Sequence, residues 1–231
     1  MCEIPEFRKG DASRLVVTKL AAQPMYGDWL DDGGGTPSNA DFRQMLAFYD
    51  GEQRKLINRF VSGELTENEL MDEMYASLYG LHLEASVMGR KRAGSTEGLT
   101  EADRAFALQV MQEQAEYLVG FLQDLEDRSP RYFNPDEQSW REDRLAWRQS
   151  LYVERGYGTA NWQFENASPD TAEFDWVTHA DESCEDCLAN EAASPWPKGT
   201  LSEVPRDGST ACRLGCKCEL RRNDGVTGFR P

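Results

Sequence analysis

Five of the six cysteines of this chain lie between residues 184 and 218. Cys184 and Cys187 are two residues apart, and Cys212, Cys216 and Cys218 follow after a polar, proline-containing segment. Two intervening residues allow a tight turn to direct both thiolates at one ion, and a second cluster completes a tetrahedron. If the last segment is extended, Cys216 and Cys218 face the same side of it. The spacing therefore predicts one structural zinc ion, with four ligands drawn from these five cysteines.

Other interpretations of the same cysteines stay open. His179, one of two histidines, is an additional candidate ligand, although a polar residue near a strand end is its ordinary role. Together with Cys2 the cysteines number six, which permits disulfide pairing in an oxidising compartment. Residues Met1–Glu6 lack the apolar core of a signal peptide, so we favour a metal over disulfides. A catalytic zinc is less favoured, since such sites usually carry histidine or carboxylate ligands and an open position.

The residues around these cysteines follow a recognisable order. The segment from Trp176 to Cys187 contains a tryptophan, a short strand, an aspartate and Cys-x-x-Cys. It is followed by a Leu/Pro loop at Leu201 to Pro205 and by a final Cys-x-Cys within Cys212 to Leu220. This C-terminal part resembles that of phage Mu F-like minor head proteins, the phage head morphogenesis family. The family's usual histidine before the final Cys-x-Cys is replaced by Cys212, one residue further upstream. Its Arg-Thr-Glu motif is not evident in the preceding helix.

The resemblance implies a structural, portal-associated protein of a tailed-virus head, present in few copies and acting in head assembly through protein contacts. The implied partners are the viral portal protein, the major capsid protein, or both, with self-association on a portal ring as a further expectation. The implied locations are the portal vertex of the virion head and, during assembly, the host cytoplasm.

Composition limits the other classes of function. The chain carries 25 Lys and Arg against 41 Asp and Glu, a formal net charge of -16. Such a surface repels nucleic acid unless basic residues are segregated, so direct nucleic-acid contact is not expected. The sequence has no apolar run long enough to span a membrane. It also has no phosphate-binding Gly-rich loop and no H-E-x-x-H motif, and its two histidines lie far apart, so we predict that the protein is not an enzyme.

The main alternative function is a zinc-ribbon adaptor that binds nucleic acid or a transcription complex. A basic surface on the cysteine-rich module would favour it, and Arg213, Lys217, Arg221 and Arg222 are the residues available there. A zinc hydrolase is a third, less favoured interpretation.

Hydrophobic periodicity predicts a mostly α-helical protein, with a body of about four helices followed by a small zinc-stapled α+β module. We divide the chain into a flexible N-terminal arm (1–38), a helical body (39–168), a cysteine-rich zinc-binding module (169–222) and a tail (223–231). The arm either orders on a partner or is a disordered terminus. The module has too few apolar residues to fold by burial alone, which is why we expect a metal to stabilise it.

Capping and breaking residues predict the element boundaries. One helix starts at Asn39; Thr66 and Thr100 open the next two, and Asn134-Pro135-Asp136 is expected to open a fourth. Glu173–Val177 alternates polar and apolar residues, as a strand does.

Several charged or polar residues have no assigned structural role. Gly89–Gly98, with Arg90-Lys91-Arg92, is predicted to be a solvated basic loop, and His82 has no evident partner. An arginine line at Arg141, Arg144, Arg148 and Arg155 is expected to pair with carboxylates of the same chain rather than to grip phosphates.

Overall fold

The computed structural model describes residues 35–179 and 183–231, and most of the predicted N-terminal arm lies outside this range. The described part is mostly helical and carries a small strand-containing module at its C-terminal end, which confirms the predicted fold class. Four long helices form the body and a short fifth helix belongs to the module: α1 Asn39–Val61, α2 Glu67–Ala93, α3 Glu101–Glu126, α4 Glu142–Ala167 and α5 Glu185–Ala192. Among these described helices, none combines the length and the apolar character needed to cross a membrane.

The first three helices begin where local capping predicts. Ser38, Thr66 and Thr100 each accept a hydrogen bond from the backbone N–H three residues later, and the acidic residue there bonds back to the cap. Two backbone donors that a helix start leaves without partners are satisfied in this way. The predictions for Thr66 and Thr100 are confirmed.

The predicted start of the fourth helix is wrong. The segment instead forms a hairpin of β1 (Phe133–Asn134) and β2 (Ser139–Trp140), and α4 begins at Glu142. Asn134 Oδ1 accepts a hydrogen bond from the N–H of Asp136, which closes a turn around Pro135. Asparagine and proline suit such a turn as well as they suit a helix start, so the local residues did not distinguish the two.

Helix α2 is the central element of the body. All residues from 74 to 91 are buried, because α1, α3 and α4 pack around it. A Cβ at Gly89 would lie 2.2 Å from the carbonyl oxygen of Ala160, so a glycine is what allows α2 and α4 to approach this closely. The fold therefore surrounds α2, and its buried residues are not confined to one face.

The predicted basic loop at Gly89–Gly98 is also wrong in its first half, since α2 continues to Ala93. The guanidinium of Arg90 donates to both carboxylate oxygens of Asp103, at 2.8 and 2.7 Å, and to the carbonyl of Gly98. Because Asp103 also caps α3, one buried carboxylate connects the end of α2 to the start of α3. The positive charge at Arg90 is therefore structural rather than solvated.

His82 has partners that the sequence did not reveal. Its Nδ1 lies 2.8 Å from Thr159 Oγ1 and its Nε2 lies 2.5 Å from Gln114 Nε2. Burial, together with the positive charge of Arg155, lowers the pKa of His82 to about 3. The imidazole is therefore neutral at physiological pH and serves as a hydrogen-bonding core residue.

The module contains a three-stranded antiparallel sheet in the order β4-β3-β5. Its strands are β3 (Glu173–Val177), β4 (Trp196–Pro197) and β5 (Glu219–Arg222), and β3 has the predicted bounds. Phe174 and Trp176 of β3 are buried in a second core that also contains buried cysteines.

Residues 223–231, predicted as a tail, pack against the body. Phe229 is 1% exposed and stacks on Phe42 of α1 with ring centroids 4.3 Å apart. The Asn161 side chain accepts from the N–H of Phe229 and donates to the carbonyls of Phe229 and Pro205. One residue of α4 thereby holds both the C-terminal segment and a loop of the module against the body.

Candidate metal centre

The five C-terminal cysteines come from three short structural pieces. Cys184 precedes the first turn of α5 as its N-cap residue, and Cys187 lies within that turn. Cys212 and Cys216 flank a 3₁₀ turn at Arg213–Gly215, and Cys218 immediately precedes β5. The two-residue spacing of the first pair thus spans one helical turn, and the later three lie on a compact turn leading into the sheet.

The thiols converge on Cys187. The Sγ atoms fall into two groups of three, Cys184 with Cys187 and Cys212, and Cys187 with Cys216 and Cys218; within each group the atoms lie within 4.8 Å of one another. Cys187 Sγ is 3.5 Å from Cys212 Sγ and 3.6 Å from Cys216 Sγ. This cluster of five thiols has the donor chemistry to hold a metal ion.

These separations fit a shared metal better than a disulfide. Zn–S bonds of about 2.3 Å in a tetrahedron place two sulfurs about 3.8 Å apart, whereas a disulfide bond is about 2.0 Å long. All five described cysteines are free thiols; Cys2 lies outside the described residues. Cys187 belongs to both groups. A four-coordinate site that combines cysteines of both groups in their present positions therefore includes Cys187.

The cluster favours neutral thiols when no metal is bound. The pKa of Cys187 is raised chiefly by burial, and that of Cys216 by its hydrogen bond with Cys218 and by burial. Burial also raises the pKa of Cys212 to about 11. Burial opposes ionisation of Cys184 too, but hydrogen bonds with the backbone and side chains of Cys187 and Cys212 outweigh it and lower its pKa. Among these four thiols, Cys184 is therefore the one that ionises most readily.

Arg206 lies beside the cluster and was not identified from the sequence. Its Nε donates to the carbonyl oxygen of Cys216 at 2.7 Å, and its guanidinium pairs with Glu154 and lies over the ring of Tyr157, 4.8 Å from the centroid. Glu154 and Tyr157 belong to α4, so Arg206 connects the cluster to the helical body. No local motif marks this arginine, because its partners come from a distant helix.

The structure does not bring His179 into either thiol group. Its Nε2 lies 3.2 Å from a carboxylate oxygen of Glu219 and 3.3 Å from the Arg230 guanidinium. Glu219 also contacts Arg221 at 3.1 Å, so the histidine belongs to a surface charge cluster around one buried carboxylate.

The basic residues of the module are only partly available to a partner. Arg222 is buried and donates to the carbonyl of Ala93, to Ser168 Oγ and to Asp224. Arg221 pairs with Glu219, whereas Arg213 and Lys217 are exposed. The basic surface that the adaptor hypothesis requires is therefore smaller than the sequence indicated.

Two of the four arginines in the predicted line, Arg148 and Arg155 of α4, make side-chain contacts within the chain. Arg155 pairs with Glu113 at 3.3 Å, and Arg148 donates to the carbonyl of Tyr117 and lies over the ring of Tyr152. The expected carboxylate pairing is seen at Arg155, while Arg148 uses a backbone carbonyl and an aromatic ring.

Comparisons of this chain with protein-family models, with curated proteins and with solved structures find no match. The likeness to minor head proteins therefore stays a resemblance carried by the C-terminal residues.

Proposed function

We propose that this chain is a structural minor head protein of a tailed virus, associated with the portal vertex and acting in head assembly through protein contacts. The observation that carries the proposal is the cysteine module. The residues that carry the family resemblance, from Trp176 through the final Cys-x-Cys, contribute buried members to one small core. A motif whose parts pack into one unit supports a common structural role for those parts.

In this proposal one zinc ion staples the module. Four thiolates from Cys184, Cys187, Cys212, Cys216 and Cys218 hold it, and Cys187 is the ligand central to the set. A structural zinc contributes about 10 kcal/mol or more of folding free energy at neutral pH, which offsets the small apolar core of this module. The chain's own residues orient the site: α5 presents Cys184 and Cys187, and Arg206 anchors the Cys216 turn to α4.

The rest of the molecule suits a protein that works by docking. The helices form a packed body. The C-terminal segment that follows the module is attached to this body by the hydrogen bond between the Phe229 N–H and Asn161 Oδ1 of α4. A body and module packed in this way offer a portal or capsid protein one continuous surface. No reaction is proposed for this chain, in keeping with the prediction that it is not an enzyme.

Purified virions test the assignment. We expect the protein to be present in purified virions and to co-purify with portal or head protein. Deletion of residues 1–38 is expected to weaken this association, while the far-ultraviolet circular dichroism signal of the helices is retained. A serine variant of Cys2 serves as a control for changes in the same region. Absence of the full-length protein from purified virions contradicts the proposal.

The second candidate is the zinc-ribbon adaptor, which the exposed Lys217 beside the cysteine cluster favours. The net charge of -16 opposes the release of counterions that drives non-specific DNA binding. The head-protein proposal expects weak DNA binding at physiological salt. Tight, salt-sensitive binding in a gel-shift titration, lost in Lys217→Gln, would establish the adaptor instead.

A further inference from the structure

The cysteine cluster holds one thiol more than a single structural zinc ion needs. Its Sγ atoms form a first thiol group of Cys184, Cys187 and Cys212, and a second thiol group of Cys187, Cys216 and Cys218. Within each group all three sulfurs lie within 4.8 Å of one another. The five thiols therefore make two three-sided sites that share one corner, Cys187.

Each thiol group has about the size that an ion with three sulfur ligands requires. An ion at the centre of a planar triangle of sulfurs, with bonds of about 2.3 Å, places those sulfurs about 4.0 Å apart. Cys187 Sγ is 3.5 Å from Cys212 Sγ in the first group and 3.6 Å from Cys216 Sγ in the second. The shared sulfur is thus close to the correct distance from a neighbour on both of its sides.

The ion that suits two such sites is Cu(I). Zinc in structural sites is almost always bound by four ligands in a tetrahedron, and iron–sulfur clusters are usually held by four cysteines. Thiolates also select Cu(I), whose filled d shell permits planar coordination by three sulfurs. A thiolate sulfur has lone pairs enough to bridge two ions, so a shared cysteine is an advantage for Cu(I).

The burial of the cluster matches this ion as well. Cys187, Cys216 and Cys218 are at most 3% exposed, so the second thiol group is closed to solvent. Cys184 and Cys212 are half-buried, so the first thiol group is open on one side. A closed pocket protects Cu(I) from oxidation, and the open side gives an ion access to the cluster.

Neighbouring donors balance part of the charge. Two Cu(I) ions with five thiolates carry a net charge of -3, which a buried site tolerates only with compensating groups. Arg206 is 9% exposed, and its Nε donates to the carbonyl oxygen of Cys216 at 2.7 Å. Thr210 Oγ1 lies 3.3 Å from Cys212 Sγ and is placed to donate to that sulfur as a thiolate. One positive charge and one hydroxyl donor therefore face the cluster.

We infer that the five thiols bind two Cu(I) ions, one in each thiol group, with the Cys187 thiolate bridging them. Each thiol gives up its proton to solvent on binding, and the copper stays in the +1 state, so no oxidant or reductant takes part. The inference rests on the proposed function only in treating the cysteines as a metal centre. It requires neither the viral role nor bound zinc.

The test uses the full-length protein under anaerobic, reducing conditions. Its zinc content is measured first, and Cu(I) is then added as the acetonitrile complex in the presence of bicinchoninate, which retains loosely bound copper. We expect uptake to saturate at two copper ions per chain, with release of the zinc found at the start. Copper X-ray absorption is expected to show three sulfur neighbours for each ion and a copper–copper contribution from the bridged pair.

Matched variants examine each group separately. Cys184→Ser breaks the first thiol group and Cys216→Ser the second, and each is expected to lower the uptake from two copper ions to one and to remove the copper–copper contribution. Cys2→Ser, which changes the cysteine that belongs to neither group, is expected to keep both ions. The near-ultraviolet circular dichroism of the buried Trp176 verifies that the module of each variant is packed.

Four results would overturn the inference. They are saturation of the unaltered protein at one copper ion, uptake of two ions without a copper–copper contribution, uptake of two ions by both group variants, and an equal loss in Cys2→Ser. The first two need no variant, so they decide even if a serine variant fails to fold. Zinc at the start followed by uptake of one copper ion removes this inference and leaves the zinc staple; absence of zinc followed by uptake of two bridged copper ions does the reverse.

Discussion

Lowering the pH is expected to release the metal from the cysteine cluster steeply. In the metal-free protein burial and thiol–thiol hydrogen bonds raise the pKa of Cys187 and Cys216, and burial raises that of Cys212 to about 11. These thiols are protonated at neutral pH, so a zinc ion that binds them as thiolates displaces about three protons. The apparent association constant is therefore expected to rise about 1,000-fold for each pH unit between about pH 6 and about pH 8.

The metal-free protein is expected to respond in the opposite direction. The pKa of Cys212 is higher in the folded state, at about 11, than its ordinary value of 9.0. A raised pKa means that the folded state holds its proton more tightly. Its contribution to stability is thus complete below about pH 9 and is lost as the pH rises toward about 11. Metal-loaded protein gains stability from acid to neutral pH, whereas metal-free protein loses stability from neutral to alkaline pH.

Competition for zinc against a chelator of known affinity measures the first slope, and urea unfolding of chelator-treated protein under reducing conditions measures the second. A slope of one decade or less per pH unit refutes the thiolate assignment. Carboxylate ligands are already ionised near pH 6, and a single histidine releases at most one proton.

Other predictions concern single residues. Cys187→Ser is expected to abolish stoichiometric zinc binding, because both thiol groups share Cys187. Of the serine variants of Cys212, Cys216 and Cys218, one is expected to retain zinc, since a single ion needs only four ligands. Zinc analysis under reducing conditions measures both outcomes, and an equal loss in all three variants contradicts a single four-ligand ion. Phe229→Ala is expected to lower the free energy of unfolding of the helical body by about 3–5 kcal/mol in urea denaturation, since the ring is buried in its core, and a loss below about 1 kcal/mol would show that this segment does not dock. Asp103→Asn is expected to cost about 3–5 kcal/mol in the same assay, because it removes the buried counter-charge of Arg90 and leaves only the exposed Glu97, 3.6 Å away. The exposed Glu101→Gln on the same helical turn is expected to cost less than about 0.5 kcal/mol.

Local sequence signals predicted the features that depend on a few neighbouring residues. The caps at Thr66 and Thr100 were predictable because cap and acid lie three residues apart and satisfy each other's backbone. The strand Glu173–Val177 was predictable because its alternating residues reflect one buried and one exposed face. The turn at Asn134 was not predictable, since the same residues suit both a hairpin and a helix start. Which of the two forms depends on whether residues 133–134 pair with a second strand.

The sequence by itself determined that this is a mostly helical protein with a cysteine-rich C-terminal module, because periodicity and cysteine spacing are local properties of the chain. Only the tertiary structure decided how the five thiols group around Cys187, that Arg206 lies beside them, and that His179 lies elsewhere, with Glu219. It also decided that Arg90 and Arg222 are buried and that Phe229 completes the core of the body. These outcomes depend on contacts between residues far apart in the chain. The sequence alone does not distinguish a charged or aromatic side chain that is exposed to water from one that packs against a buried partner.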